Sequence, residues 1–321
     1  MLTKLNNAVY NFIKIGILGC VPMTSLVCRA EAPTDTMPSS TTHIIEEQVL
    51  LPPLFEYVVA PEELPDLQSR TDYLMDHFWD PFDFKGNEVV DQNALNHAFG
   101  VYVQAMAYAS EPKIDASVKS LISKIKNSPG LSYQFAKAAE ENLYGPRAEL
   151  WGDEVYMEFL KNAIANKKIS DSKKKNLKTR LNLLSSTARG AVMPKFALYN
   201  LENTGTTLSP TKKYSLIEFI NPGSEDRDYT TLRLDISRIA NELRRSGLLE
   251  IFVVEHGKTK PEFEYPEGWT VYYSPEASDV LDLRIDPCFY VIDNHSKILG
   301  KNLNIDAALD LLDILSNNAK K

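Results

Sequence analysis

The sequence has few cysteines, fewer basic than acidic residues, and few long apolar runs. Its 321 residues include three cysteines, Cys20, Cys28 and Cys288, and no two of them have the spacing of a zinc site or of a Cys-x-x-Cys redox pair. The 35 basic residues are outnumbered by 43 acidic ones, and the formal charge of −8 argues against a nucleic-acid partner. After residue 32, no stretch approaches the ~20 consecutive apolar residues of a membrane span.

The rest of the composition is that of a globular protein. Apolar residues make up 44% of the chain and charged residues 24%, and 321 residues are enough for two domains. His77 and His97 do not have metal-ligand spacing on one helix. We therefore predict no bound metal and no cofactor.

Residues 1–32 have the pattern of an export signal peptide. Lys4 and Lys14 precede an apolar stretch, and residues 30–32 form the small-x-small cleavage pattern Ala-Glu-Ala. We therefore predict an exported, periplasmic protein. The run that ends at Cys20 also resembles a lipoprotein cleavage box, which would acylate this cysteine, although its apolar core would then be very short. Membrane contact is expected only in this second case.

Residues 33–54 and 55–190 differ in pattern. The first range is rich in proline, threonine and serine, which predicts a mobile tether. In the second range, apolar residues recur every three or four positions between breaks at proline and glycine. This periodicity predicts an all-α domain of about six short helices.

Aromatic residues cluster at residues 78–84 of this helical region. Because large rings usually bury their surface, we interpret the segment as core at the end of a helix. The alternative is a carbohydrate or lipid site that uses Trp79, Tyr144 and Trp151, and it requires exposed rings.

Residues 191–321 change to short apolar runs separated by single helices, which is typical of an α/β domain. The run from Tyr214 to Asn221 shows little alternation, and this favours a central strand that is buried on both faces. A sharp turn follows, and then a helix that is predicted to bury Leu232 and Ile236 on one face.

The order of these elements, with Pro287 just before a strand, resembles the thioredoxin-like fold. The runs at residues 193–198 and 290–293 are similar to the exported thiol-disulfide oxidoreductase and peroxiredoxin superfamily. The helical region resembles an uncharacterised helical domain, a domain of unknown function, that precedes thioredoxin-like domains in exported proteins of Gram-negative gut bacteria. This second resemblance rests on residues 74–84, 143–146 and 156–166. The predicted fold is an α/β thioredoxin-like C-terminal domain, with a mixed central sheet flanked by helices, after an all-α N-terminal domain.

The resemblance implies a redox site from which this sequence departs. In the superfamily, the turn after the central strand carries Cys-x-x-Cys, and the helix dipole lowers the pKa of the attacking thiol. Alignment of the turn places Ser224 and Arg227 at these two positions. A hydroxyl is a poor nucleophile for thiol-disulfide exchange, and a guanidinium cannot resolve a mixed disulfide. Two-cysteine redox chemistry is therefore not expected.

By the same resemblance, Pro287 is the candidate cis-proline. Cys288 follows it and has two interpretations, a buried strand residue, as most free cysteines are, or a lone reactive thiol. A hydrolase built on Ser224 with His256 or His295 is disfavoured, because the nucleophile elbow Gly-x-Ser-x-Gly is missing.

We therefore predict an exported thioredoxin-fold protein without the redox cysteine pair, which serves as a non-catalytic binding or scaffold module of the cell envelope. Its partner is expected to be an envelope protein or peptide, bound in the groove between residues 221–228 and 286–288. The alternative is an enzyme, a single-cysteine thiol oxidoreductase or peroxidase that uses Cys288. That alternative requires an exposed thiol with a lowered pKa.

Overall fold

The computed structural model describes residues 53–86 and 88–319. The predicted signal peptide, with Cys20 and Cys28, lies outside the described residues, and so does the predicted tether up to residue 52. In the described part of the chain, no helix is both long enough and apolar enough to cross a lipid bilayer.

The described chain forms two compact units, one that ends at Phe159 and one that begins at Leu160. Six helices form in the described residues before residue 190. They are α1 (Leu67–His77), α2 (Gln92–Met106), α3 (Glu111–Ile125), α4 (Pro129–Leu143), α5 (Asp153–Ala165) and α6 (Asp171–Ser186). This helical region, followed by a mixed sheet, confirms the predicted fold class. The domain boundary predicted between residues 190 and 191 stays a prediction.

Capping residues explain where several of these helices begin. Asp66 Oδ1 accepts a hydrogen bond from the Ser69 amide before α1, and Asp91 Oδ1 accepts one from the Ala94 amide before α2, both at 2.8 Å. These side chains satisfy amides that have no partner in the first turn of a helix. Pro129 lies in the first turn of α4, where its missing amide hydrogen is not needed.

Aromatic rings fill the interior of the first unit. Phe78, Trp79 and Phe82 are each at most 5% exposed, and the Trp79 ring centroid lies 5.2 Å from that of Phe135. The interpretation of residues 78–84 as core is confirmed. Trp79 is therefore not available for the carbohydrate or lipid site considered as the alternative. Trp151, which that site would also use, is 36% exposed.

The described residues of the second unit contain a seven-stranded mixed sheet with the order β2-β1-β5-β4-β3-β6-β7. The strands are β1 (Leu198–Tyr199), β2 (Gly205–Thr206), β3 (Tyr214–Ile220), β4 (Leu249–His256), β5 (Thr270–Ser274), β6 (Cys288–Asp293) and β7 (Ile298–Leu303). Strand β3 is parallel to β4 and antiparallel to β6. Leu216 and Ile220 pack into the core on one face, and Ile217 and Phe219 pack into the core on the other. The predicted burial of the central strand on both faces is confirmed.

The chain after β3 forms two helices, α7 (Arg227–Asp235) and α8 (Arg238–Arg245), where the sequence predicts one. Ser237 caps the second helix by accepting a hydrogen bond from the Ala240 amide at 3.4 Å. The break changes which residues face inward, so that Leu234 is buried while Leu232 and Ile236 are 59% and 65% exposed. The prediction that Leu232 and Ile236 are buried is therefore wrong. The remaining described helices are α9 (Ala277–Val280) and α10 (Ile305–Ala319).

Candidate functional site

The turn after β3 brings Ser224 and Arg227 to the start of α7. The Asn221 carbonyl oxygen accepts a hydrogen bond from the Ser224 amide at 3.0 Å, which closes the turn. Helix α7 begins at Arg227, so Ser224 lies in the turn just before the first helical residue. Both residues thus lie between the end of the central strand and the first turn of the following helix, where the sequence alignment assigned them.

The guanidinium of Arg227 folds back over the end of the sheet. Its Nη2 donates to the carbonyl oxygens of Asn221 (3.0 Å) and Pro222 (2.5 Å) and lies 3.4 Å from Glu255 Oε1. The Phe263 ring covers it, with 5.2 Å between the guanidinium carbon and the ring centroid. The Arg227 side chain is only 13% exposed, so its charge is held where Coulomb attraction is stronger than in water.

Two glutamates from neighbouring parallel strands take part in this cluster. Glu218 lies in β3 and is 0% exposed, and Glu255 lies in β4 and is 3% exposed. Glu218 Oε1 accepts a hydrogen bond from Thr230 Oγ1 at 2.9 Å, and Glu255 Oε1 accepts one from the Tyr265 hydroxyl at 2.8 Å. Glu218 Oε2 is buried and has no hydrogen-bond partner among the described residues. The cluster therefore sets two carboxylates against the one guanidinium of Arg227.

Burial raises the pKa of Glu218 to about 7, because the charged carboxylate loses its hydration. The hydrogen bond from Thr230 and the charge of Arg227 oppose this rise in the pKa, whereas Asp286 and Glu255 add to it. At neutral pH, Glu218 is thus divided between its protonated and charged forms. Burial also raises the pKa of Tyr265, whose hydroxyl remains a hydrogen-bond donor to Glu255.

The Asp286–Pro287 peptide bond is cis, which is the isomer that the resemblance implies for Pro287. Asp286 Oδ1 accepts a hydrogen bond from the Asn221 amide at 2.8 Å. This bond joins the loop before β6 to the end of β3. The two sides of the predicted groove are therefore held together.

His256 lies at the end of β4, but it forms no catalytic pair with Ser224. Its ring stacks on Phe219 with 6.2 Å between centroids, and its Nδ1 has no hydrogen-bond partner among the described residues. Burial lowers the pKa of its imidazole, and the charge of Asp286 opposes this. His295 lies in the exposed turn between β6 and β7. A serine hydrolase needs a base within hydrogen-bond reach of its hydroxyl, and the described residues do not supply one.

Cys288 begins β6 and is 0% exposed. Its Sγ donates to Asn302 Oδ1 at 3.4 Å. Burial raises the pKa of the Cys288 thiol far above its ordinary value, and the charge of Asp282 adds to this effect. Because the thiolate is the nucleophilic form, this thiol has neither the exposure nor the lowered pKa that the enzyme hypothesis requires.

A second charged cluster lies beside Cys288, and the sequence did not predict it. Asp282 Oδ2 is 2.9 Å from Arg284 Nη2, 2.8 Å from Lys301 Nζ and 2.9 Å from Asn302 Nδ2. The Asp282 side chain is 0% exposed, and those of Arg284 and Lys301 are 10% and 11% exposed. One buried carboxylate is therefore surrounded by two cations and an amide.

Glu218 and Glu255 were also missed, although the sequence carries a signal for them. Each is an acid within a mostly apolar strand, and a buried acid needs polar partners. The pairing of Asp282 with Lys301 has no such signal, because it joins two loop or edge positions. In the part of the chain that the structure describes, no group of three or more histidine, cysteine, aspartate or glutamate side chains is placed to hold a metal ion.

Solved structures similar to this chain define the class of its fold. A thioredoxin-like protein from Bacteroides caccae is 19% identical, with 81% of this chain and 98% of that chain covered and a TM-score of 0.67. The thioredoxin domain of a thiol-disulfide oxidoreductase from Bacteroides vulgatus is 22% identical and matches 40% of this chain and 96% of its own, with a TM-score of 0.32. A thiol:disulfide interchange protein from a Bacteroides species is 21% identical over 42% of this chain and 95% of its own, with a TM-score of 0.34. The first of these similarities shows a thioredoxin-like fold.

Residues 28–187 match the family model described as a domain of unknown function, DUF5106. The N-terminal part of the chain is therefore a DUF5106 helical domain, and a thioredoxin-like domain follows it. Both resemblances that the sequence suggested are confirmed. No curated protein sequence matches this chain.

Proposed function

We propose that this protein is a non-catalytic binding module of thioredoxin-like fold that is exported to the cell envelope. The observation that carries the proposal is the buried guanidinium of Arg227, held by Glu255 and two carbonyl oxygens at the start of α7. Thiol-disulfide exchange needs one thiolate to attack and a second thiol to resolve the mixed disulfide. Arg227 can do neither, and Ser224 offers only a hydroxyl.

The turn that carries these residues is suited to binding. Asn221, Pro222 and Gly223 are exposed, while hydrogen bonds to Arg227 and Asp286 hold the turn in place. A loop that is already ordered loses little conformational entropy when a partner binds. The proposed partner is an envelope protein or peptide. Export to the periplasm, or a lipid anchor through Cys20, is part of this proposal.

Disulfide reduction by the full-length protein tests the proposal. Insulin reduction with dithiothreitol as the electron donor is measured for the wild type and for Cys288→Ala, with a two-cysteine thioredoxin as the positive control. We expect both forms to match the rate without protein. Turnover comparable to that of the control would overturn the proposal. Turnover that Cys288→Ala abolishes would support the single-cysteine thiol oxidoreductase instead.

A further inference from the structure

Two buried polar atoms of opposite kind lie under the turn after β3 without hydrogen-bond partners. Glu218 Oε2 is an acceptor and Arg227 Nε is a donor, and neither has a partner among the described residues. The two side chains are close enough to interact electrostatically. An unpaired buried donor and an unpaired buried acceptor each cost free energy, which their mutual pairing would recover.

The guanidinium of Arg227 instead holds the turn through its other end. Its Nη2 donates to the carbonyl oxygens of Asn221 and Pro222 and lies beside Glu255 Oε1. Both carbonyl oxygens belong to the turn. A single nitrogen of Arg227 therefore joins the turn to the start of α7 and to β4.

This arrangement suits a protonated Glu218. A neutral carboxyl group does not require a cation, whereas a carboxylate that is buried away from water is stable only when it is closely paired. Burial raises the pKa of Glu218 to about 7, so both forms occur near neutral pH. The charged form needs a donor for Oε2 that the arrangement does not supply in the described residues.

The other polar groups that act on Glu218 come from the elements packed around it. They are Thr230 and Arg227 of α7, Glu255 of β4, Tyr265 of the loop between β4 and β5, and Asp286 of the loop before β6. Arg227 is the one cation of this set, and Glu255 and Asp286 disfavour a further negative charge. A charged Glu218 must therefore compete with Glu255 and with the turn for one guanidinium.

We propose that ionisation of Glu218 draws the guanidinium of Arg227 away from the turn. The Nε–H of Arg227 then donates to Glu218 Oε2, and Nη2 releases the carbonyl oxygens of Asn221 and Pro222. The turn is held while Glu218 is protonated and released when it is charged. As a pH-dependent control of the surface proposed to bind a partner, this inference rests on the proposed function.

Proton–nitrogen NMR of the isotope-labelled full-length protein tests the inference, over about two pH units on either side of neutrality. The side-chain Nε–H signal of Arg227 is assigned through its couplings to the backbone. We expect this signal to move downfield as the pH rises, because a hydrogen bond to a carboxylate deshields the donated proton. The amide of Ser224 closes the turn, and its signal is expected to move with the same midpoint.

Two glutamate-to-glutamine substitutions assign the movement to Glu218. Glu218→Gln cannot ionise and is expected to keep both signals at their acid positions. Glu225→Gln removes an exposed carboxylate from the same turn and is expected to titrate like the wild type. A wild-type Arg227 signal that does not move, or one that moves equally in Glu218→Gln, would overturn the inference. Movement of Arg227 without Ser224 would also overturn it, because the turn would then remain held.

Thr230→Val supplies a test that is independent of whether Glu218→Gln folds. Thr230 Oγ1 donates to Glu218 Oε1 and so favours the charged carboxylate. Without this hydrogen bond, the midpoint is expected to rise by about one pH unit. An unchanged midpoint would assign the movement to another group, such as His256, and would overturn the inference. Since these spectra need neither a partner nor a disulfide, a negative result is distinguishable from failure of the proposed function.

Discussion

Among the described residues, two buried charged clusters lie on opposite faces of one sheet and are built differently. Around Asp282, a single carboxylate lies within 2.9 Å of both Arg284 and Lys301. Around Glu218, two carboxylates share the one guanidinium of Arg227, and a carboxylate oxygen has no partner in the described residues. Burial of charge is costly, and only close pairing offsets it. The first cluster thus sets two cations against one carboxylate, and the second sets one cation against two carboxylates.

The difference teaches that one sheet can bury charged clusters with an excess of either sign. The Asp282 cluster is closed, because its carboxylate already has cations and an amide around it. The Glu218 cluster has two carboxylates for one guanidinium, and Phe263 and Tyr265 contact it from the loop between β4 and β5. Burial and this excess of carboxylates together raise the pKa of Glu218.

The largest expected effect is that of Asp282→Ala. Because this change leaves two cations buried without a carboxylate, we expect the free energy of unfolding to fall by about 3–5 kcal/mol. Urea denaturation of the full-length protein measures the change. Asp313→Ala, at an exposed position on α10, is the control and is expected to stay within about 0.5 kcal/mol of the wild type. A loss no larger than that of the control would show that the two clusters do not differ in this way.

A smaller effect is expected from Glu218→Gln, and it depends on pH. The folded-state pKa of about 7 lies above the ordinary value of 4.5. Between these values the folded protein keeps a proton that the unfolded chain has released, so the free energy of unfolding falls as the pH rises. The loss of unfolding free energy caused by ionising Glu218 is absent below this pH window and complete above it. It amounts to at most about 3 kcal/mol. Glutamine cannot ionise, so the variant is expected to lose less stability on going from acid to mildly alkaline pH.

Urea denaturation at several pH values across this window measures the slope for the wild type and for Glu218→Gln. The control is Glu225→Gln, which removes an exposed carboxylate from the neighbouring turn. We expect the wild type and this control to share one slope and Glu218→Gln to have a flatter one. Parallel curves for all three proteins would contradict the assignment of a raised pKa to Glu218.

The smallest expected effect is the modification of Cys288 in the native protein. Because the thiol is buried and its pKa is raised, iodoacetamide is expected to leave it almost unmodified under native conditions and to modify it fully in denaturant. Peptide mapping by mass spectrometry reads Cys288 separately from Cys20 and Cys28. Rapid native labelling at Cys288 would show an accessible thiol and would reopen the enzyme hypothesis.

Local patterns predicted the central strand and the helices well, because apolar spacing reports burial along a continuous segment. The predicted strand from Tyr214 to Asn221 differs from β3 by one residue at its end. The same spacing failed at Leu232 and Ile236, because Ser237 caps a new helix and changes the inward face. A capping residue can start a new helix within a continuous stripe of apolar residues, and the stripe itself does not show this.

The amino-acid sequence alone determined the two-part fold, the buried central strand and the absence of a Cys-x-x-Cys pair. All three depend on residue type and local spacing. Only the folded structure decided that Arg227 turns back to Glu255, that Asp282 meets Lys301, and that α7 turns Leu232 outward. These outcomes depend on which distant segments the sheet brings together and on how much room each side chain finds there. Apolar periodicity does not encode such contacts, because it describes one segment at a time.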